Sequence, residues 1–262
     1  EAIPSKIEIA TPFGLAMTTL EGSKCNLFHA LGNNNKGFDM AEIVGLDIGS
    51  HSIKLVGLRI TPKGLFLTHA GVKEIPYGEQ KEDLNFLSEI VKGLYREVGL
   101  KPGKVRLAVS GSGVHIARFT IPLMPRGELK EALRWEMKGH LPVSIESGEI
   151  DFHILREFVE KGVKKLEVIA VACPRHLIDR VLSIAKGAGL KPTHVDIGAF
   201  AFWNTLLAFN GLGKEEVVAL VDLGAQKTDI HLFQEGNLHF SREVTPAGVD
   251  ITRAIMEGIE SE

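Results

Sequence analysis

The 262-residue chain contains few cysteines and no long apolar run. Only Cys25 and Cys173 occur, and Cys173 lies in the apolar stretch VIAVAC, where a buried, reduced thiol is the expected state. No apolar run reaches the ~18 to 20 residues that a membrane-spanning helix needs, and the first residues show no signal-peptide pattern. These absences predict a cytosolic protein.

An excess of basic residues is also lacking. The 30 Lys and Arg residues are scattered and are outnumbered by 33 Asp and Glu residues, so the net charge is -3. This balance argues against nucleic-acid binding driven by phosphate neutralisation. The apolar fraction of 44% and the charged fraction of 24% are ordinary for a soluble globular protein, and the length allows one large or two moderate domains.

From residue 43 onward, hydrophobic periodicity predicts alternating strands and helices, and therefore an α/β fold. Strands are predicted at 43–49, 52–60, 65–75, 105–111, 115–122, 149–158, 165–172, 192–196, 216–222, 227–233 and 237–244. Helices are predicted near 84–98, 129–141, 175–188 and 199–209, and from about 248. The segment 114–172 thus has the order strand, helix, strand, strand, between two larger α/β units.

A short acidic motif occurs twice, in VGLDIGSHSIKLVGL (44–58) and ALVDLGAQKTDIHLF (219–233). Asp47 and Asp222 each end an apolar strand and are followed by glycine and small residues. Backbone N–H groups in such turns bind anions, and a neighbouring carboxylate can hold a hydrated divalent cation. One D-x-G alone would be explained by a hairpin turn. Its duplication within a β-β-β-helix unit favours two turns that clamp the phosphates and magnesium of one nucleotide.

These two motifs resemble the first and second phosphate motifs of the actin, sugar-kinase and heat-shock-chaperone superfamily. Within that superfamily the chain most resembles the PilM family, actin-like cytoplasmic proteins of type IV pilus assembly. Three further stretches carry the resemblance: ALRWEMKGHLPVSIESGEIDFHIL (132–155), VIAVACPRHLIDRVLSIAKGAGLKPTHVDIGAFAF (168–202) and REVTPAGVDITRAI (242–255).

The resemblance implies an actin-like fold built from duplicated, ribonuclease H-like β-sheet units. Residues 40–113 would form the first actin-like subdomain. Residues 114–190 would form a small inserted subdomain of the kind that the PilM family shares with the division protein FtsA. Residues 191–262 would form the connecting helix and the start of a second actin-like subdomain. No glycine-rich adenosine loop follows Thr228, so the second half and the nucleotide cleft are expected to be incomplete in this chain.

The resemblance also implies that the chain binds ATP with magnesium. The corresponding phosphate-motif residues are Asp47, Gly49, Ser50, Ser52, Lys54, Asp222, Gly224, Ala225 and Thr228. Asp47 and Asp222 would hold the magnesium ion through water. Asp196 occupies the segment where catalytic members place a water-orienting polar residue, and a helix N-cap is its alternative role. The sequence shows no obvious general base, so we expect a nucleotide-binding scaffold with weak or no ATPase activity.

By the same resemblance, the protein would be cytoplasmic and peripheral to the inner face of the inner membrane. It would bind the N-terminal peptide of the membrane protein PilN in a groove between the first subdomain and the insert. Trp135 is our candidate for that groove, with a core position as the alternative. The pilus motor ATPases are further candidate partners. Self-association is another expectation, because SKCNLF (23–28) resembles the core of PilN peptides.

Other functions stay open at this point. A phosphotransferase of the sugar-kinase branch would need a substrate-binding aspartate and an adenosine loop. An FtsA-like division tether or a type II secretion platform protein would keep the scaffold and change the system. Residues 1–39 form a separate question, because ATPFGLAMTTLEGSKCNLF resembles the C-terminal helix of the PilM family and GNNNKGFD forms a polar linker. An amphipathic leader is the other interpretation of that segment.

Overall fold

A computed structural model describes residues 42–62, 64–78, 82–111, 113–138, 148–210, 217–234 and 237–260. The predictions for residues 1–39 lie outside the described residues. The described strands are β1 (Glu42–Ile48), β2 (Ser52–Thr61), β3 (Gly64–Glu74), β4 (Lys104–Val109), β5 (His115–Pro122), β6 (Gly148–Glu160), β7 (Val163–Pro174), β8 (Lys191–Ile197), β9 (Val217–Leu223), β10 (Thr228–Gln234) and β11 (Asn237–Val244). The described helices are α1 (Leu84–Glu97), α2 (Arg126–Lys138), α3 (Arg175–Gly187), α4 (Gly198–Asn210) and α5 (Gly248–Glu260). The predicted α/β order is confirmed, with ends shifted by a few residues.

One compact unit consists, among the described residues, of 42–109 and 176–198. Its sheet has the order β3-β2-β1-β4-β8, in which the first three strands form an antiparallel meander and β4 and β8 run parallel to β1. Leucine, valine and isoleucine alternate along these strands, which buries one face of the sheet. The buried side chains include Leu46, Ile53, Leu55, Leu107 and Val195.

Helices α1 and α3 approach each other closely in this unit. Asp83 caps α1, since its carboxylate accepts hydrogen bonds from the N–H groups of Asn85 and Phe86. The buried Ser88 hydroxyl of α1 lies 3.0 Å from the carbonyl oxygen of Ile184 in α3. A Cβ on Gly187 would lie 2.4 Å from that hydroxyl oxygen, so the close helix pair requires glycine there.

The second compact unit consists of residues 110–175 and 199–260 where they are described. Strands β5, β7 and β6 form one antiparallel sheet, and the face of α2 that carries Leu129, Leu133 and Met137 packs on it. The strand-helix-strand-strand order of the insert is thereby observed. The sequence prediction extends this insert to residue 190, whereas α3 groups with the first unit because the following strand β8 pairs with β4.

The second unit also contains a repeat of the start of the first. Strands β9, β10 and β11 form an antiparallel meander followed by α5, in the order in which α1 follows β1, β2 and β3. Helix α4 packs on this sheet, and the Trp203 ring stacks on Phe233 with centroids 4.0 Å apart and planes 2° apart. No helix in the described part of the chain is long and apolar enough to cross a membrane.

Two substitutions on α2 test which of its faces carries stability. Leu133 is completely buried, so we expect Leu133→Ala to lower the free energy of unfolding by about 2 to 5 kcal/mol. Trp135 is 70% exposed, so Trp135→Ala should change it by less than about 0.5 kcal/mol. Urea denaturation followed by circular dichroism measures both values. Equal losses from the two variants would contradict the assigned faces.

Candidate functional site

The first acidic hairpin joins β1 to β2 through Gly49, Ser50 and His51. The Gly49 N–H donates a 3.1 Å hydrogen bond to the carbonyl oxygen of Ser52. A Cβ on Gly49 would lie 3.0 Å from that oxygen, which makes a side chain there unfavourable. Asp47 and Lys54 are cross-strand partners, and the Lys54 ammonium lies 3.0 Å from the Asp47 carboxylate. Both side chains are about half exposed, so the ammonium can turn toward an incoming phosphate.

The second acidic hairpin joins β9 to β10 with the same turn geometry. The Gly224 N–H donates a 2.9 Å hydrogen bond to the carbonyl oxygen of Lys227, and a Cβ on Gly224 would lie 2.8 Å from that oxygen. The start of α5 holds this turn, because the N–H groups of Gly248 and Val249 donate to the carbonyl oxygens of Gly224 and Ala225. These two α5 amides therefore hold the turn and are not free for an anion.

The charges around the second hairpin differ from those around the first. The residue opposite Asp222 is Asp229, and the residue opposite Asp229 on β11 is Glu243. Burial, and then repulsion by Glu243 and Asp222, raises the pKa of the Asp229 carboxyl, while Lys227 opposes the rise. The Lys227 ammonium lies 2.9 Å from the Glu243 carboxylate. Sequence reasoning missed Lys227, although the letters KTD after Gly224 place a cation directly beside the predicted threonine.

Thr228 does not present its hydroxyl group as the sequence predicts. The side chain is buried, and the hydroxyl donates a 2.8 Å hydrogen bond to the carbonyl oxygen of Pro246. A phosphate contact by this hydroxyl is therefore not supported by the geometry. The hydroxyl instead links β10 to the segment that leads into α5. The corresponding position of the first hairpin is the fully buried Ile53, which fits a packing role at both positions.

Asp196 lies on the same sheet as Asp47. In the parallel pairing of β1 with β4, Leu46 is opposite Leu107, so the next residues, Asp47 and Ala108, are neighbours. Ala108 is in turn paired with Asp196 on β8. The two aspartates thus flank Ala108 in one cross-strand row and share a face, with Cα atoms about 10 Å apart from the usual strand spacing. The structure brings together two candidates that are 149 positions apart in the sequence.

The surroundings of Asp196 favour its neutral form. Burial raises the pKa of this carboxyl to about 7, although the Ile197 N–H that it accepts and the nearby Arg106 guanidinium both oppose the rise. Burial in turn lowers the pKa of Arg106. Helix α4 starts at Gly198, and the Asp196 carboxylate accepts from Ile197 rather than from the first helical turn, so the N-cap interpretation is wrong.

Three other sequence predictions can be compared with the structure. Trp135 is exposed, as the groove prediction needs, and the Lys138 ammonium lies 4.8 Å from its ring centroid. Cys173 is free and buried, and burial raises its pKa to about 12. No cluster of His, Cys, Asp and Glu in the described ranges is arranged to hold a metal ion directly.

Comparison with known proteins identifies the family. The sequence model of the family described as type IV pilus assembly protein PilM matches residues 45–261. The chain belongs to the PilM family. A solved structure described as the PilM–PilN type IV pilus biogenesis complex is 28% identical, covers 85% of this chain and 67% of its own chain, and superposes with a TM-score of 0.74. The resemblance to this family, stated from the sequence, is confirmed.

FtsA of Bacillus subtilis (strain 168) is a more distant relative. It is 24% identical over 255 residues, an alignment that spans 87% of this chain and 56% of FtsA. The chain thus spans little more than half the length of this relative. Together with the match to the PilM chain, these comparisons confirm the mixed α/β, actin-like fold. The roles of the individual hairpin residues stay predictions, as does joint binding of one nucleotide by the two hairpins.

Two glycine substitutions in the second unit test the turn. Gly224→Ala pushes a Cβ against the Lys227 carbonyl oxygen, so we expect the free energy of unfolding to fall by about 1 to 3 kcal/mol. Gly258→Ala is the matched control, because a Cβ there meets no atom within 4 Å and lies in a helix, where alanine stabilises by about 0.5 to 1 kcal/mol. Thermal unfolding measures both. A neutral Gly224→Ala variant would refute the close approach in the turn.

The raised pKa of Asp196 predicts a pH-dependent stability. The folded-state pKa of about 7 lies above the ordinary value of 3.8, so the stability of the wild type is highest below pH 3.8, falls as pH rises from 3.8 to about 7, and is constant above that. Asp196→Asn keeps the acceptor oxygen and cannot ionise. We expect the stability of the variant relative to the wild type to increase steadily from pH 4 to pH 7 and to stay constant from pH 7 to pH 8, measured by urea denaturation. A difference that does not change with pH would contradict the assignment.

Proposed function

We propose that this chain is an actin-like scaffold of type IV pilus assembly in which the two acidic hairpins jointly bind the phosphates and magnesium of ATP, in the incomplete cleft expected from the sequence. The single observation that carries the proposal is the repeated turn. In both hairpins a glycine N–H donates to the carbonyl oxygen three residues on, and in both the turn leaves no comfortable space for a Cβ. A turn that excludes side chains lets a phosphate approach the backbone closely, and a carboxylate precedes it by two residues in each case.

The donor groups fit a magnesium nucleotide. Asp47 and Asp222 offer carboxylate oxygens, which suit a magnesium ion that keeps most of its water. Gly49, Ser50 and Ser52 on the first turn, and Gly224 and Ala225 on the second, would surround phosphate oxygens. Lys54 would exchange its contact with Asp47 for one with a phosphate once the cation neutralises Asp47. The magnesium ion would supply charge compensation for the phosphates and for the aspartates.

Asp196 lies in the same cross-strand row as Asp47 and would provide a second carboxylate near this nucleotide. A half-buried carboxyl with a pKa near 7 can accept a proton from water at neutral pH, which supports slow hydrolysis of ATP. The scaffold role requires only that nucleotide binding stiffens the protein. We therefore propose weak ATPase activity, or none, rather than a fast enzymatic cycle.

The proposed partner is the N-terminal peptide of PilN. The solved relative is described as a PilM–PilN complex, and membership of the PilM family supports the same kind of partner here. Trp135 supports a docking role for α2, because a 70% exposed tryptophan with a neighbouring ammonium offers a flat apolar anchor with a polar rim. Binding a membrane protein's cytoplasmic peptide would place the chain on the inner face of the inner membrane. The pilus motor ATPases are further candidate partners.

Calorimetric titration with a PilN N-terminal peptide and with ATP–magnesium tests this proposal. We expect peptide binding that tightens in the presence of ATP–magnesium, and Trp135→Ala should weaken it by more than tenfold. Lys130→Ala is the matched control on the same helix, one that leaves the tryptophan in place. Asp47→Asn and Asp222→Asn should each weaken ATP–magnesium binding by about tenfold or more, which corresponds to about 1.4 kcal/mol.

Two outcomes would count against the proposal. A folded wild-type protein that binds the peptide neither with nor without nucleotide is not a PilN scaffold. If only one of the two aspartate substitutions affects ATP–magnesium binding, then the hairpins do not share one nucleotide.

A further inference from the structure

A basic motif occurs twice in the first compact unit. The segments REVGLKPGK (96–104) and KGAGLKPTH (186–194) both begin with a cation, followed after two residues by Gly-Leu-Lys-Pro. The first copy joins α1 to β4, and the second joins α3 to β8. These two strands are parallel neighbours, and their pairing starts with Lys104 opposite Lys191. The two copies therefore lie next to each other, at the end of the sheet where β4 and β8 begin.

The two copies end their helices with the same turn. Gly99 and Gly189 have positive φ values of 74° and 78°, which glycine adopts without strain. Their N–H groups donate to the carbonyl oxygens three residues earlier, and the N–H groups of Leu100 and Leu190 donate to the carbonyl oxygens five residues earlier. These main-chain bonds close both turns within the unit, so the lysine that follows each leucine is held at the same end of the sheet.

Basic residues that are scattered in the sequence meet at this end. Lys104 and Lys191 are directly opposite each other, and the usual spacing of paired strands puts their Cα atoms about 4.8 Å apart. The Lys191 N–H also donates a 2.9 Å hydrogen bond to the carbonyl oxygen of Gly103. We call this surface the basic end, and its five exposed cations are Arg96, Lys101, Lys104, Lys186 and Lys191.

Carboxylates compensate little of this charge. Glu97 at the end of α1 is paired with the Lys73 ammonium, and Glu42, at the same end of β1, is engaged by a hydroxyl and an imidazole of β3. The four lysines of the basic end form no ion pair with another residue that the structure describes. Like charges directly opposite each other are unfavourable, so the pairing of Lys104 with Lys191 has a cost that a bound anion would remove.

The helix dipole explains only part of the basic end. Arg96 and Lys186 lie in the last turns of α1 and α3, where a cation offsets the negative helix terminus. Lys101 lies in the loop after α1, and Lys104 and Lys191 begin strands, so these three do not have that role. The repeated turn therefore collects more positive charge than the helix ends require, which indicates an anionic partner.

We propose that the basic end binds anionic phospholipid headgroups directly, as a second contact with the membrane besides the PilN peptide. The inference rests on the proposed function for the position of the chain at the inner face of the inner membrane. Each lysine near an anionic lipid surface strengthens binding by about fivefold. Nucleic acid is the less favoured polyanion, because neither copy of the motif contains a Phe, Tyr or Trp on which a base could stack.

The basic end is separate from the acidic hairpin of the same unit. Lys104 begins β4, and Ala108, which lies between Asp47 and Asp196, is four residues further, about 13 Å along the strand. Lipid and nucleotide would therefore occupy opposite ends of these strands. Substitutions at the basic end should leave ATP–magnesium binding unchanged.

Vesicle flotation of the whole chain, without PilN peptide or nucleotide, tests the inference. We expect binding to vesicles of phosphatidylglycerol and phosphatidylethanolamine, weakened by salt, and none to vesicles of phosphatidylcholine alone. The triple variant Lys101→Gln, Lys104→Gln and Lys191→Gln should bind the anionic vesicles more than tenfold more weakly. The matched control removes the same charge from exposed lysines of the second unit and should lose less than twofold, with Lys130→Gln, Lys161→Gln and Lys164→Gln.

A second variant keeps the test decisive. Circular dichroism shows whether each variant is folded. If the triple variant folds poorly, the double variant Lys101→Gln with Lys186→Gln takes its place, and it should weaken vesicle binding by about tenfold or more.

Three results would overturn the inference: equal binding to both kinds of vesicle, no binding to either, or an equal loss from the control variant. A chain that binds a duplex oligonucleotide but no vesicles also overturns it, and assigns the basic end to nucleic acid. Either failure leaves PilN binding to be decided by the calorimetric titration. A chain that binds anionic vesicles through the basic end but does not bind the peptide keeps this inference and loses the proposed PilN scaffold role.

Discussion

The two acidic hairpins depend on one short main-chain contact. In each, a glycine N–H donates across the turn to a carbonyl oxygen, and a Cβ on the glycine would lie only 3.0 Å from that oxygen at Gly49 and 2.8 Å from it at Gly224. This contact fixes where the preceding aspartate stands, because the aspartate is the second residue before the glycine on a regular strand. The candidate nucleotide chemistry of both units begins from that geometry.

The two copies of the turn differ in the charge of the residue that lies opposite the aspartate. In the first hairpin a lysine faces the aspartate across the strands, so the pair is balanced before any ligand arrives. In the second, three carboxylates follow one another across β9, β10 and β11, and Lys227 compensates only part of their charge. A bound cation would therefore neutralise more negative charge at the second hairpin. At the first hairpin, the Lys54 ammonium can turn toward a phosphate. A magnesium nucleotide carries both kinds of charge.

Both turns also form backbone hydrogen bonds with a later segment of their own unit. Amides at the start of α5 bond to carbonyl oxygens of the second turn, and the Ile75 N–H bonds to the His51 carbonyl oxygen of the first. Each turn is therefore hydrogen-bonded to the segment that follows the third strand of its meander. The hydrogen bonds of Gly248 and Val249 thus connect the second turn directly to the first residues of α5.

The sequence by itself determined the order of strands and helices, the duplicated D-x-G turn and the family, because these depend on local periodicity and on residues close together in the chain. Helical spacing also places Leu129, Leu133 and Met137 on one face of α2, but for Trp135 the sequence left a groove and a core position open, and its exposure came from the structure. Only the tertiary structure decided which residues meet across strands. The parallel register of β1, β4 and β8 places Asp196 in the same cross-strand row as Asp47. The Thr228 hydroxyl points inward because it donates to the carbonyl oxygen of Pro246. Because β8 pairs with β4, α3 belongs to the first unit rather than to the insert. Such contacts join positions far apart in the chain, and a strand's own pattern specifies which face is buried but not which strand lies beside it.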